Sequence, residues 1–348
     1  MRLLPVLLLP AALFAQDSPE ALLRDGHFKR ARVAVEARLK SNPTDPETLW
    51  LMSRIKHVYG DLDTAQQFAE KAVAGNPKDA RYHLRLAEVA GDKATRVSML
   101  KQISLGRTFK KELDACLALA PKNPDALTYL LRFNFEAPGI LGGDKNKARA
   151  IPDQILQIDP VKGYLAKAII ARYDKQDEAV EGLYRKAVEA KPDSIPARLV
   201  LAGILAAAKS NRFAEAETHA RAAVKINPSS AAGHGALAGL LAAQEKWTDL
   251  DAALAFAEKN VPDNLVPYYR AGNVCLGRGK ELPRAEDYFR KYLTQESEPS
   301  SPTHADAHWR LGLVLEKQGK KPDAIAELQA ALKLDPNSNA RQDLKRLK

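Results

Sequence analysis

The stretch from Ala305 to Pro336 reads ADAHWRLGLVLEKQGKKPDAIAELQAALKLDP. Its apolar residues recur three and four positions apart, which predicts two amphipathic helices. Gly319 lies between them, where a helix must end in a left-handed residue before the chain reverses. Ala324 and Ala331 stand seven positions apart, so they share one face of the second helix, where small side chains permit close packing. The stretch therefore predicts a hairpin of two helices.

The same markers recur along the chain with a period near 34 residues. Prolines close the apolar stretches at spacings of 32 to 44, with one gap of 74 that holds two units: Pro43, Pro77, Pro121, Pro160, Pro192, Pro228, Pro262 and Pro336. Seventeen positions before five of these prolines stand Gly26, Gly60, Gly143, Asn211 and Gly319. A lone hairpin of this length cannot bury enough apolar surface to offset the entropy of ordering it, so the units are expected to stack.

This pattern resembles the tetratricopeptide repeat. In the last unit the residues on or beside the family's marker positions are Trp309, Leu311, Gly312, Leu315, Gly319, Ala324, Leu328, Ala331 and Pro336. The unit that ends at Pro77 matches through Trp50, Gly60, Ala65 and Ala72, whereas Glu245 replaces the turn glycine in another unit. The resemblance implies an all-α fold, a superhelix of about nine helix-turn-helix units whose first helices line a concave groove.

The predicted organisation has three parts. Residues 1–15 are a secretory signal peptide, residues 16–336 form the repeat array, and residues 337–348 form a C-terminal capping helix with one apolar face. The units are expected to end near residues 43, 77, 121, 160, 192, 228, 262, 296 and 336. Three stretches depart from the pattern: the extra residues 92–111, the long turn Pro138–Asp144 and the polar loop Gln295–Pro302.

The N-terminus predicts export. Arg2 precedes an apolar run from Leu3 to Phe14, and Ala15 offers a small residue for cleavage. The run is too short for a membrane anchor, and Pro5 and Pro10 disfavour a buried helix. No cysteine precedes Cys116, so no lipid anchor is expected at the cleavage site, and no later stretch predicts a transmembrane helix. We expect a periplasmic or secreted protein.

Charge and cysteine content argue against several classes of protein. The chain has 53 Lys and Arg against 43 Asp and Glu, but the two signs are interleaved, which favours a solvated surface and no nucleic-acid partner. Two cysteines cannot form a disulfide-rich scaffold or a four-cysteine zinc site. Cys116 and Cys275 fall on core positions, which predicts buried thiols rather than a redox pair.

The search for catalytic motifs finds no metalloprotease, nucleophile-elbow, dithiol or phosphate-loop sequence, so neither an enzyme nor a cofactor is predicted. His304 and His308 stand four apart and could share a metal on one helix, but no third ligand is evident. Gly142 and Gly143 could bind an anion, although the simpler interpretation makes Gly143 the ordinary turn glycine of a lengthened turn.

The resemblance also assigns a candidate binding surface, because the family's first helices point four positions each into the groove. Carried onto this sequence, those positions give the partner-binding residues Glu47, Trp50, Arg54, His57, Arg81, Glu88, Arg132, Tyr269, Asn273, Asp306, Trp309 and Glu316. Aromatic residues beside arginine are common energetic anchors of protein interfaces. The alternative for Trp50 and Trp309 is packing within their own repeats.

Three functions remain open at this point. The first is a non-catalytic exported scaffold that binds a protein or peptide in its groove, in a bacterial envelope assembly. The second is an accessory solute-binding protein that holds a small ligand inside the superhelix. The third is an enzyme whose site has no recognisable motif.

Overall fold

The computed structural model describes residues 18–207, 211–299 and 301–348. Within these ranges all regular structure is helical and forms nine successive pairs. The pairs are α1 (Pro19–Asp25) with α2 (Phe28–Ser41), α3 (Pro46–Val58) with α4 (Leu62–Gly75), α5 (Ala80–Ala94) with α6 (Met99–Leu119), α7 (Pro124–Glu136) with α8 (Lys145–Ile158), α9 (Pro160–Tyr173) with α10 (Asp177–Ala190), α11 (Ile195–Ala206) with α12 (Phe213–Ile226), α13 (Ala231–Ala243) with α14 (Trp247–Asn260), α15 (Val266–Arg278) with α16 (Leu282–Tyr292), and α17 (His304–Lys317) with α18 (Lys321–Leu334).

A final helix, α19 (Ala340–Leu347), packs on α18, and a short 3-10 helix, Gly139–Leu141, lies between α7 and α8. The predicted all-α superhelix is thereby confirmed. The signal peptide and its cleavage site lie outside the described residues. No helix in the described ranges is long and apolar enough to cross a membrane.

Capping residues fix where the first helix of a pair begins. The Asp45 carboxylate accepts a hydrogen bond from the backbone N–H of Thr48 at 2.9 Å, directly before Pro46 opens α3. At α17, Thr303 and Asp306 form a reciprocal capping box. These side chains satisfy backbone donors that a helix leaves free at its start, while proline suits the first turn.

The turn inside most pairs contains one residue with a left-handed backbone, seventeen positions before the expected end of the unit. Glycine takes this place four times, but Lys175, Asn211 and Glu245 take it at φ values of 58°, 46° and 58°. A non-glycine residue there costs about 1–2 kcal/mol of strain. The reversal is therefore the constant feature, and packing of the two helices compensates for the strain.

The turn between α7 and α8 corrects one sequence expectation. Gly143 was expected to be the turn glycine, but Gly142 has the left-handed backbone, with φ 94°. Gly143 is needed for a different reason, since a Cβ atom there would lie 1.9 Å from the carbonyl oxygen of Ala137. The extra residues of this turn form the 3-10 helix, which shifts the reversal by one position.

The first helices line the inner side of the curved array. They pack against each other, as α3 does with α5, α11 with α13 and α15 with α17, while each second helix packs between the first helices of its own and the next pair. Because successive first helices contact each other directly, the array is shorter along the side of the first helices than along the side of the second helices. The side of the first helices is therefore concave. Alanines at the predicted close-packing positions are fully buried: Ala31, Ala65, Ala148, Ala216 and Ala324.

The first helix pair also contacts pairs far away in the sequence, because the superhelix completes a turn. The Nδ1 atom of His27 lies 2.9 Å from the carboxylate of Asp263, and its Nε2 atom lies 2.9 Å from the carbonyl oxygen of Ser229. The backbone N–H of Lys29 donates to Glu298 at 3.0 Å. We call this contact, made by His27, Lys29, Ser229, Asp263 and Glu298, the closure contact.

Two residues of the closure contact are buried, and the other three are partly buried. His27 and Glu298 are 2% and 3% exposed. Burial opposes a positive charge on His27, but the hydrogen bond and the negative charge of Asp263 outweigh it, so the pKa of His27 is raised. Burial raises the pKa of Glu298 to about 7, and its Oε1 atom has no hydrogen-bond partner within the described residues. The contact therefore contains two groups whose pKa values are raised, and that of Glu298 lies near neutral pH.

Candidate functional site

The N-terminal half of the inner surface is built around Trp50 on α3. The guanidinium groups of Arg54 and Arg81 lie 4.9 Å and 5.1 Å from its indole ring, which is cation–π geometry. The ring also packs against Tyr82 of α5 at a centroid distance of 6.4 Å. We call Trp50, Arg54 and Arg81, with the polar groups that hold them, the Trp50 cluster.

Glu47 joins the Trp50 cluster across two repeats. It binds Arg81 through two hydrogen bonds of 2.7 Å and 3.1 Å, and it accepts a third from the hydroxyl of Tyr82 at 3.0 Å. Asp79 also binds Arg81, at 2.7 Å. The hydrogen bond to Asp79, with the help of Glu47, raises the pKa of Arg81. These bonds fix the position of Arg81 beside the indole.

Arg54 differs from its neighbours, since it makes no hydrogen bond or ion pair within the described residues. Burial lowers the pKa of Arg54, and the positive charge of Arg85 lowers it further. Arg85 itself is buried and bonds Ser53 and Glu88, the latter at 2.9 Å. A partly buried guanidinium without an acceptor is a place where an incoming carboxylate gains more than it would at the open surface.

The remaining predicted residues of this half add further polar contacts between the helices of the inner surface. The Nε2 atom of His57 lies 2.6 Å from Asp92 on α5. Arg132 on α7 is exposed and lies near the Tyr173 hydroxyl, which itself bonds Glu136. The structure thus brings seven predicted residues onto three adjacent first helices: Glu47, Trp50, Arg54, His57, Arg81, Glu88 and Arg132.

In the C-terminal half of the predicted site, most of the predicted side chains already contact other residues of the same chain. Tyr269 is 8% exposed and packs edge-on against Phe289 at 5.3 Å, so it belongs to the core. Asp306 is the helix-capping partner of Thr303. The Trp309 indole donates to Asp343 of α19 at 2.8 Å, and Glu316 binds Arg346 of the same helix. Asn273 makes no contact of this kind within the described residues, so this half offers less free surface than the sequence suggested.

Sequence reasoning missed Arg310, which follows Trp309 and stacks on its ring at 4.2 Å. Its Nε atom is buried without a hydrogen-bond partner in the described chain. Arg310 borders a depression of about 520 Å³, together with Leu276, Gly277, Leu313, Glu316, Lys317 and Arg346. The inward positions of the repeat pattern do not include Arg310, and only its place beside a tryptophan could have drawn attention to it.

The glycines of α13 have a packing role. Gly235 lies where an added Cβ would touch Val266 of α15 at 3.4 Å, and Gly239 lies under the side chain of Arg270. The helices α13 and α15 therefore pack closely, and little inner surface remains between them. Arg270 is exposed on this face.

The histidine pair and the cysteines take structural places. His308 binds Glu327 at 2.6 Å, whereas His304 contacts the carbonyl oxygen of Gln295, so the two rings have separate partners. No three His, Cys, Asp or Glu residues form a possible metal site in the part of the chain that the structure describes. Cys116 and Cys275 are buried free thiols, and burial raises the pKa of each to about 11.

Comparison with known proteins agrees with this architecture in part of the chain. Residues 269–339 match the tetratricopeptide repeat family model, and residues 20–140 match the model of regulator of microtubule dynamics protein 1–3. No curated protein matches the sequence.

Several solved structures are similar at low identity. Yeast Tom70 is 12% identical, with a TM-score of 0.48 over 96% of this chain and 87% of that one. PilW, described as a type IV pilus biogenesis factor, is 20% identical, with a TM-score of 0.46 over 64% of this chain and 97% of that one. A tetratricopeptide repeat protein from Parabacteroides merdae is 15% identical, with a TM-score of 0.42 over 87% and 98%. The matched segment shows a tetratricopeptide repeat at residues 269–339, and the stacked helix pairs continue the same type of all-α architecture through the described residues.

Proposed function

We propose that this protein is a non-catalytic scaffold that binds a polypeptide along its inner surface. The observation that carries the proposal is Arg54, a partly buried guanidinium that stacks on Trp50 and has no acceptor in the described chain. Aromatic and arginine side chains in such settings supply most of the energy of protein interfaces. Arg54 favours a partner that presents a carboxylate, from an acidic side chain or a chain terminus.

We also propose that the protein is exported and serves an assembly in a bacterial envelope. The apolar run Leu3–Phe14 after Arg2 supports export, and the scaffold architecture suits an assembly role. The second candidate, a small-ligand carrier, has less support, because the depression of about 520 Å³ near Arg310 is open to solvent rather than enclosed.

Affinity capture from an envelope extract tests the proposal, with the chain from Gln16 to Lys348 as bait. The double variant Trp50→Ala, Arg54→Gln is expected to lose the captured protein, with an affinity at least tenfold weaker, since an interface anchor contributes about 2 kcal/mol. A matched control exists on the outer side, where Arg284 lies 5.6 Å from the ring of Trp247. The control variant Trp247→Ala, Arg284→Gln is expected to retain the partner.

Circular dichroism must first show that both variants are folded. Equal retention of the partner by all three proteins would place its binding site outside the Trp50 cluster. If the chain retains only a small molecule and no protein, the scaffold proposal is wrong.

A further inference from the structure

We propose that a second surface, which is aliphatic rather than aromatic and polar like the Trp50 cluster, docks onto an anionic lipid bilayer. The surface consists of the first two turns of α6 and the 3-10 helix Gly139–Leu141. The Met99 and Leu100 side chains are 75% and 83% exposed, Ile103 is 36% exposed and Ile140 is 95% exposed. Folded proteins rarely present a group of large aliphatic side chains to water without an interaction that uses it.

The two parts of this surface are held next to each other. An added Cβ atom on Gly106 of α6 would lie 3.6 Å from Cδ1 of Leu141, so the 3-10 helix rests on α6 at that point. Ile103 stands three residues before Gly106, on the same side of the helix. Ile140 precedes Leu141 and projects into solvent beside that turn. We call Met99, Leu100, Ile103 and Ile140 the aliphatic patch.

Basic side chains are frequent in the stretch of chain that carries most of the aliphatic patch. Residues 93–111 contain six Lys and Arg and no Asp or Glu: Lys93, Arg96, Lys101, Arg107, Lys110 and Lys111. Lys93 and Lys110 are paired with Asp63 and Asp114, and Lys111 lies 3.3 Å from Glu112. The other three, Arg96, Lys101 and Arg107, are exposed and make no ion pair within the described ranges.

This combination fits a lipid surface better than a protein groove. The patch projects from a helix end and a loop tip, and it has aliphatic residues without Trp or Tyr, the residues that dominate protein interfaces. Aliphatic side chains gain by entering the boundary between headgroups and acyl chains, while exposed Lys and Arg are attracted to acidic headgroups. The three unpaired cations, Arg96, Lys101 and Arg107, therefore select for acidic lipids, and the aliphatic patch inserts into the bilayer.

Vesicle co-sedimentation tests this inference. The nine helix pairs lie within residues 18–348, so a chain that starts at Gln16 keeps the fold and excludes the apolar run Leu3–Phe14. It is expected to bind vesicles of phosphatidylcholine with phosphatidylglycerol, and to bind vesicles of phosphatidylcholine alone at least tenfold more weakly. The variant Leu100→Ser, Ile140→Ser is expected to lose at least tenfold in binding to the acidic vesicles. Both side chains are exposed, so these changes should leave the core intact.

The electrostatic part is tested by the triple variant Arg96→Gln, Lys101→Gln, Arg107→Gln. We expect its binding to fall about a hundredfold, because each cation near an acidic bilayer contributes roughly a factor of five. The matched control Lys321→Gln, Lys333→Gln, Lys345→Gln removes the same charge from exposed positions on α18 and α19 and should bind like the native chain.

Equal losses in the two triple variants would show that net charge alone drives binding and would overturn the assignment of this surface. The assignment also fails if the native chain does not co-sediment with acidic vesicles, or if the patch binds an acidic protein instead of the vesicles.

Discussion

Replacing His27 with alanine is expected to detach α1 and α2 from the far end of the superhelix while the other pairs stay folded. Both ring nitrogens of His27 face oxygen acceptors, on Asp263 and Ser229, so the charged imidazolium satisfies both. Removal of the ring leaves the Asp263 carboxylate without this partner, although its side chain is only 17% exposed to solvent. Loss of one member of a buried ion pair costs about 3–5 kcal/mol.

Hydrogen–deuterium exchange measures this effect directly. Amides of α1 and α2 are expected to exchange much faster in the His27→Ala variant, and small-angle scattering should report a longer particle. His219→Ala is the matched control, because His219 is half-buried on α12 and takes no part in the closure contact. Unchanged exchange in α1 and α2 of the His27 variant would mean that local packing, through Leu22 and Leu23, holds these helices by itself.

The closure contact is also expected to weaken as pH rises from about 5 to 8. The raised pKa of His27 means that its ionic contribution is complete below about pH 6.5 and is lost as pH rises through the raised value. Glu298 acts in the same direction. It ionises near pH 4.3 when exposed but near 7 when docked, so closure loses free energy as pH rises between these values. This second effect is of the order of 3 kcal/mol.

The charged neighbours do not reverse this expectation. Lys29 and His27 favour ionisation of Glu298, and Asp263 opposes it, yet burial dominates. The pKa of Asp263 itself is lowered, because its contact with His27 outweighs burial, so its contribution is lost only in stronger acid. Exchange of α1 and α2, corrected for the intrinsic pH dependence of amide exchange, should be faster at pH 8 than at pH 5. Glu298→Gln should flatten the response below pH 7, and equal exchange in the native chain at both pH values would contradict the assignment.

Local order along the chain could be predicted from the sequence because each repeat marker has its own physical cause. The turn before Pro77, the buried alanines and the capping of α3 all follow from short-range rules, so the helix pairs appear where the period places them. The turn at Gly142 departed by one residue because an extended loop can reverse the chain in more than one way.

The candidate site could be predicted less well, because it depends on which parts of the chain meet. Repeat positions placed Trp50, Arg54 and Arg81 on one surface, but they could not show that α19 covers Trp309 or that Asp306 caps its own helix. The closure contact was invisible in the sequence for the same reason. His27 and Asp263 are 236 residues apart, and only the pitch of the superhelix brings them together.

The central claim is that the inner surface around Trp50 binds a polypeptide, and exchange mapping of the complex with the captured partner tests it most directly. Slower amide exchange is expected in α3, α5 and α7, the helices that present Trp50, Arg54, Arg81 and Arg132. Protection confined to the outer helices, such as α4 and α10, with no change in α3 and α5, would contradict the claim.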